Sequence, residues 1–169
     1  MPGVTFILDA YRSGKDDFLK HWATYRDYLE SMRAQFPPGA FAFAAANWHY
    51  DATDPRCPHD AWVETLTISE PSSGERSEHR SIAIHLRLLG AYHDGHIELS
   101  YQQVRSYSLE TPAHIAGPRA PLEGIGHGDW LVDEIRLSEL GLVLHEVLFA
   151  RGSRWLIECA DFAYQWKPL

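Results

Sequence analysis

Histidine stands close to aspartate at several points of this chain, in stretches that read as loops. These are His49-Tyr-Asp51, His59-Asp60, His93-Asp94-Gly-His96 and His127-Gly-Asp129. An imidazole supplies a neutral nitrogen ligand or a base near neutral pH, and a carboxylate supplies charge and orients the ring. If the loops meet at one end of a sheet, His49, Asp51, His59, His127 and Asp129 are the donors a divalent metal would use. The same meeting would make His59, Asp60, His127 and Asp129 the acid–base candidates, with Glu134 beside them. No motif predicts a cofactor; a divalent metal is what this donor set would accept. The competing reading is plain turn chemistry, because aspartate caps turns through its own side chain and histidine is an ordinary loop residue.

Two acidic pairs lie inside strand patterns. Asp133-Glu134 alternates with apolar neighbours, so one of the two carboxylates should face the core, where an unpaired charge is costly and its pKa rises. Pairing with Arg136, or with Arg80 or Arg87 on a neighbouring strand, is the favoured resolution, and His145-Glu146 poses the same question. His145-Glu146 also opens an H-E-x-x-H pattern, but position 149 is Phe149, so the zinc-protease spacing fails. Gly124-Ile-Gly126-His-Gly128 follows a proline-rich stretch and precedes a strand, whereas a phosphate loop needs a strand before it and a helix after it. There is no G-x-S-x-G elbow and no C-x-x-C pair. Cys57 sits between Arg56 and His59, neighbours that would lower a thiol pKa.

These residues need elements to position them. Val4 to Ala10 reads as a short strand or lead-in, and Ser13-Gly-Lys-Asp16 as a capping box. Phe18, Trp22, Tyr25, Leu29, Met32 and Phe36 then recur at four- and three-residue spacing, which predicts a helix over about 14–35 with one apolar stripe. Pro37-Pro38 stops it, and the run from Ala40 to Ala46 suggests a short second helix. Strands are expected at Trp62 to Ile68, Ile82 to Leu88, Ile97 to Tyr101, Val104 to Leu109, Trp130 to Leu137, Leu142 to Phe149, Trp155 to Cys159 and Phe162 to Trp166. Gln102-Gln103 marks a bulge or corner, and 111–128 is the long loop.

Residues 84–104 and 142–162 align without gaps at an offset of 58 (142 − 84), with Ile84 on Leu142, Leu86 on Leu144, Ile97 on Trp155 and Tyr101 on Cys159. The expected fold is therefore a single α+β domain over 1–169. Its helical part, about 1–47, packs on a mostly antiparallel, curved sheet of about eight strands over about 61–167, closed as a sandwich or partial barrel with two similar hairpin units. Trp62 to Ile68 is the expected edge strand, a place where a second copy would pair.

At 169 residues the chain can bury one sizeable core. It is 45% hydrophobic and 22% charged, with six Trp, eight Tyr and seven Phe. Trp22, Tyr25, Trp62 and Trp130 are the aromatic candidates for a binding surface. A net charge of −8 disfavours nucleic acid and anionic lipid as partners and suits plain solubility first, and otherwise a basic protein or a cation. The start of the sequence lacks the pattern of a signal peptide and no run approaches the ~20 apolar residues of a membrane span, so a cytoplasmic location with Cys57 and Cys159 reduced is expected.

The tail LVLHEVLFARGSRWLIECADFAYQW, a hairpin followed by an apolar strand and a carboxylate-aromatic strand, resembles the closing strands of small β-rich bacterial domains of unknown function. It is similar in this to some immunity proteins of bacterial toxin systems. The resemblance covers the last third of the chain and implies a non-enzymatic protein that neutralises a partner by surface contact, with no functional residue carried over. Three readings follow. The first is a non-catalytic binding protein, immunity-like or otherwise, with an acidic aromatic-bearing surface. The second is a metal- or acid–base-dependent enzyme built on the His-Asp loops. The third is a small-molecule binder with an aromatic pocket between helix and sheet.

Overall fold

The computed structural model describes residues 5–14, 18–112 and 126–169. The chain is α+β. Helices α1 (Ile7–Ser13), α2 (Phe18–Met32) and α3 (Pro38–Ala44) precede strands β1 (Trp62–Ser69), β2 (Ser72–Ser73), β3 (His79–Arg80), β4 (Ile82–Leu89), β5 (Gly95–Leu109), β6 (Trp130–Leu137), β7 (Val143–Phe149) and β8 (Arg154–Pro168). Six strands form one antiparallel sheet in the order β1-β4-β5-β8-β7-β6, and β2 pairs with β3 separately.

Several expectations change. Residues 7–10 are helical, not extended, because the first amides of α1 find an acceptor on the sheet. Phe6, Ile7 and Leu8 each donate a backbone N–H to Glu134 Oε2, at 2.9, 2.6 and 3.2 Å. The expected helix over 14–35 is α2 alone and ends at Met32, with Phe36 held in a following turn by its N–H to Met32 O at 3.2 Å. The expected capping box falls on residues whose side chains lie outside the description.

The third change is closure: the sheet is open, with β1 and β6 at its edges. β6 avoids the usual liability of an edge strand by another route. Its outward backbone groups are taken by side chains. His59 Nδ1 donates to Leu131 O at 2.7 Å and Tyr50 Oη to Asp133 O at 2.7 Å. Tyr25 Oη donates to Ile135 O at 2.8 Å and accepts from Ile135 N at 3.0 Å, and Leu137 N donates to Tyr28 Oη at 2.9 Å. Four side chains from α2 and the loop after α3 thus replace a missing strand.

β5 and β8 each span two of the expected strands and bend between them. Buried Tyr101 and Val104 are three residues apart, as are Cys159 and Phe162, so both strands change phase at a kink. In β5 the kink places Gln103 at φ +49°. The gap-free alignment of the hairpins does not survive in their first strands. Ile84, Leu86 and Leu88 are buried where Val143, His145 and Val147 are, an offset of 59 (143 − 84), while Ile97, Leu99, Tyr101 and Val104 match Trp155, Ile157, Cys159 and Phe162 at 58 (155 − 97). The lost residue lies in the turn, which holds 90–94 between β4 and β5 but 150–153 between β7 and β8.

The inward face of the sheet carries this apolar set, and α3 packs on β8 there. Contact is so close that a Cβ on Gly39 would lie 2.1 Å from Phe162 O. The stripe of α2 buries Tyr25 and Leu29, and Phe36 is buried in the turn that follows. No helix among the described residues is long and apolar enough to cross a membrane.

Candidate functional site

Register puts Asp133 and Glu134 on opposite faces of the sheet, and both are buried. Asp133 faces inward with His145 of β7. Its Oδ2 accepts from His145 Nε2 and from His49 Nε2, each at 2.9 Å, and its Oδ1 accepts from Trp130 Nε1 at 3.0 Å. Both imidazoles therefore carry a proton on Nε2, and His145 Nδ1 takes the Tyr101 hydroxyl at 2.8 Å. Burial by itself would raise the Asp133 carboxyl; the facing imidazoles of His49 and His145 reverse this and hold it below the usual carboxylate range. Rings close the cluster from solvent, with Phe43 4.1 Å from His49 and Phe162 stacked on His145 at 5.3 Å. This is a Tyr-His-Asp-His chain of the kind that moves protons at active sites, but every member is at most 1% exposed. What it does here is hold the 43–50 segment, β6, β7 and β5 together.

Glu134 faces the other side. Its Oε1 pairs with Arg136 Nη1 at 2.7 Å, and Arg136 Nη2 pairs with Glu146 Oε2 at 2.7 Å. Glu146 Oε1 also takes Arg154 Nε at 2.6 Å and the Arg12 guanidinium from α1. Burial would raise the Glu146 carboxyl, but Arg136 and Arg154 keep it below its ordinary value. The expected pairing of Glu134 and Glu146 with arginine is what forms, and Glu134 in addition holds the N-terminus of α1. Asp161 does the same for α3, accepting from Gly39 N at 3.1 Å and Ala40 N at 2.8 Å.

The remaining candidates divide between structural duty and the surface. His49 is enclosed in the Asp133 cluster and Asp51 closes a turn on Thr53, at 2.9 Å to its N and 2.6 Å to its Oγ1. His59 holds the β6 edge and lies 3.4 Å from Asp60 Oδ1, while Asp60 N donates to Trp130 O at 2.9 Å. The structure does bring 59–62 beside 129–131, and Asp129 Oδ1 accepts from Trp62 Nε1 at 2.7 Å. His127 bonds Ser153 Oγ at 2.8 Å and packs on Trp155, and burial lowers its pKa. Among the described residues no three His, Cys, Asp or Glu side chains gather as metal ligands.

Of the aromatic candidates, Tyr25 and Trp130 are core and Trp22 is half-buried against Tyr50. Trp62 is exposed, edge-on to His93 at 4.7 Å. Arg56 turns away from Cys57 to Asp54, at 2.7 Å, and burial pushes the Cys57 thiol up to about 12, the opposite of an activated nucleophile. Burial likewise carries Cys159 to about 12.

A recess lies on the outward face, a groove of about 680 Å³. Arg136, Leu144, Glu158 and Ser106 stand directly opposite one another on β6, β7, β8 and β5, so one cross-strand row makes its floor. Leu156, Phe6, Tyr28 and Leu137 to Leu140 complete its lining. Three interstrand steps give it a length of about 14 Å. A smaller recess of about 260 Å³ lies beside Trp22, between α2 and Ala45 to Asn47. The sequence reading missed the groove because it placed Leu144 on the buried face with Leu86; the register places it outward. The only sequence signal was the excess of leucine in β6 to β8 beyond what one buried face needs.

Comparison with protein-family models, with curated proteins and with solved structures returned no match.

Proposed function

We propose that this chain is a non-catalytic binding protein and that the outward groove receives an apolar group of its partner. One observation carries the reading. Leu137, Leu140, Leu144 and Leu156 line an open groove on the sheet face that otherwise holds a closed ion-pair network. Its volume is within the roughly 300–1,000 Å³ typical of ligand sites. The chemistry-bearing groups Asp133, Glu134, Asp161, His49 and His145 are spent on docking helices and strands, which favours binding over catalysis. The net charge of −8 and the immunity-like tail support a basic protein as that partner. The burial of the two hairpins, matched once a one-residue difference in the turn is allowed, supports reading them as copies of one ancestral unit.

Titration with the neutral apolar dye Nile red tests the groove. Saturable binding to the folded chain is expected, lost in Leu144→Asp and Leu156→Asp and kept in Trp62→Ser. Binding that ignores both leucine variants, or no saturable binding, overturns the proposal.

A further inference from the structure

The charges around the groove restrict what fills it, and this step rests on the binding role proposed above. Arg136 is the cation in the floor, but its guanidinium is divided between Glu134 and Glu146 at 2.7 Å each. Glu158, two positions along the same row, is held loosely by comparison. Its Oε2 lies 3.3 Å from Ser106 Oγ and 3.6 Å from Arg105 Nε, and the Arg105 side chain is 59% exposed. Glu139 stands exposed at the rim. The groove therefore offers apolar surface next to carboxylates whose neutralisation is incomplete, in a molecule of net charge −8. An anionic or purely apolar occupant would leave Glu158 desolvated with only the distant and exposed Arg105 as counter-charge, which is costly. A cation placed there would gain a charge-assisted hydrogen bond.

The shape separates a polymer from a small molecule. A small ligand is usually 70–90% buried in its site, to an order of magnitude. This groove is a half-open recess whose floor crosses four strands, as suits side chains projecting from a longer segment. We infer that the outward groove docks a basic segment of a protein partner, with a lysine or arginine on Glu158 and an adjacent apolar side chain on Leu144 and Leu156.

A library of random dodecapeptides displayed on phage, selected on the full chain, tests this. Enriched sequences are expected to place Lys or Arg next to Leu, Ile, Phe or Trp. The best of them, as a synthetic peptide, should bind Glu158→Gln about tenfold more weakly, equivalent to about 1.4 kcal/mol. It should bind Glu75→Gln, a change in the exposed β2–β3 turn, as it binds the natural chain. Glu158→Gln keeps the shape of the side chain, and an unchanged Tm for this variant confirms that the loss is one of recognition. Acidic or uncharged sequences, binding indifferent to Glu158→Gln, or no enrichment would each overturn the inference. Nile red binding with no basic peptide would leave the groove a binding site and remove only this partner; loss of both would remove the binding role too.

Discussion

At the scale of the residue, Asp133 carries the most. It accepts from His49, His145 and Trp130 and joins the 43–50 segment to three strands without contact with water. Breaking a buried pair of this kind typically costs about 3–5 kcal/mol. Asp133→Asn keeps the shape but turns one acceptor into an NH₂ that meets N–H donors. Urea unfolding at pH 7 should show a loss of about that size. The pH dependence follows from the lowered folded-state pKa. Its contribution is fully present above the unfolded value near 4 and is lost as pH falls through the lower folded value. Stability of the natural chain should therefore drop between about pH 4 and 2, and the drop should be shallower in Asp133→Asn. It will not vanish, because Glu146 is lowered as well and titrates with the same sign. Equal slopes in the two proteins would mean that Asp133 is not ionised in the fold.

At the scale of the element, the short helices exist because the sheet caps them. α1 and α3 are seven residues each, below the length at which a helix holds in water alone. Glu134 and Asp161 supply the acceptors that their first amides lack. The close seat of α3 makes Gly39 a sharp test. In an isolated helix Gly→Ala stabilises by about 1 kcal/mol. Here the new Cβ would fall 2.1 Å from Phe162 O, so α3 must move off β8 and loosen Phe43 from Phe162. Gly39→Ala should destabilise by about 2 kcal/mol in chemical denaturation, the sign opposite to that of propensity. A stabilised variant would show that α3 sits farther from β8 than described.

At the scale of the whole molecule, the open sheet has two unlike edges. β6 is sealed by Tyr25, Tyr28, Tyr50 and His59, while β1 carries exposed Trp62 and Ile68. Hydrogen exchange should therefore find the Ile135 and Leu137 amides protected although they lie on an edge strand, with the outward amides of β1 exchanging much faster. Tyr25→Phe removes both bonds to Ile135 and should lower its protection and cost about 1–3 kcal/mol. Equal exchange on the two edges, or an indifferent Tyr25→Phe, would refute the seal.

Much of the fold was legible because periodicity is a local property. Four- and three-residue spacing located α2, alternation located β4 and, with Glu64 as an odd member, β1, and the doubled glutamine located the kink in β5. The acidic balance and the pairing of Glu134 and Glu146 with arginine were also written in residue order. Tertiary structure alone decided the rest, because it rests on register and on contacts distant in sequence. A one-residue difference in a turn moved Leu144 outward and His145 inward, which made the groove and the buried cluster together. Helix formation at 7–10 depended on a carboxylate over a hundred residues away. The His-Asp loops looked like chemistry in sequence, but burial and edge sealing claimed His49 and His59 for the fold, since a buried polar group must find a partner wherever the chain brings one.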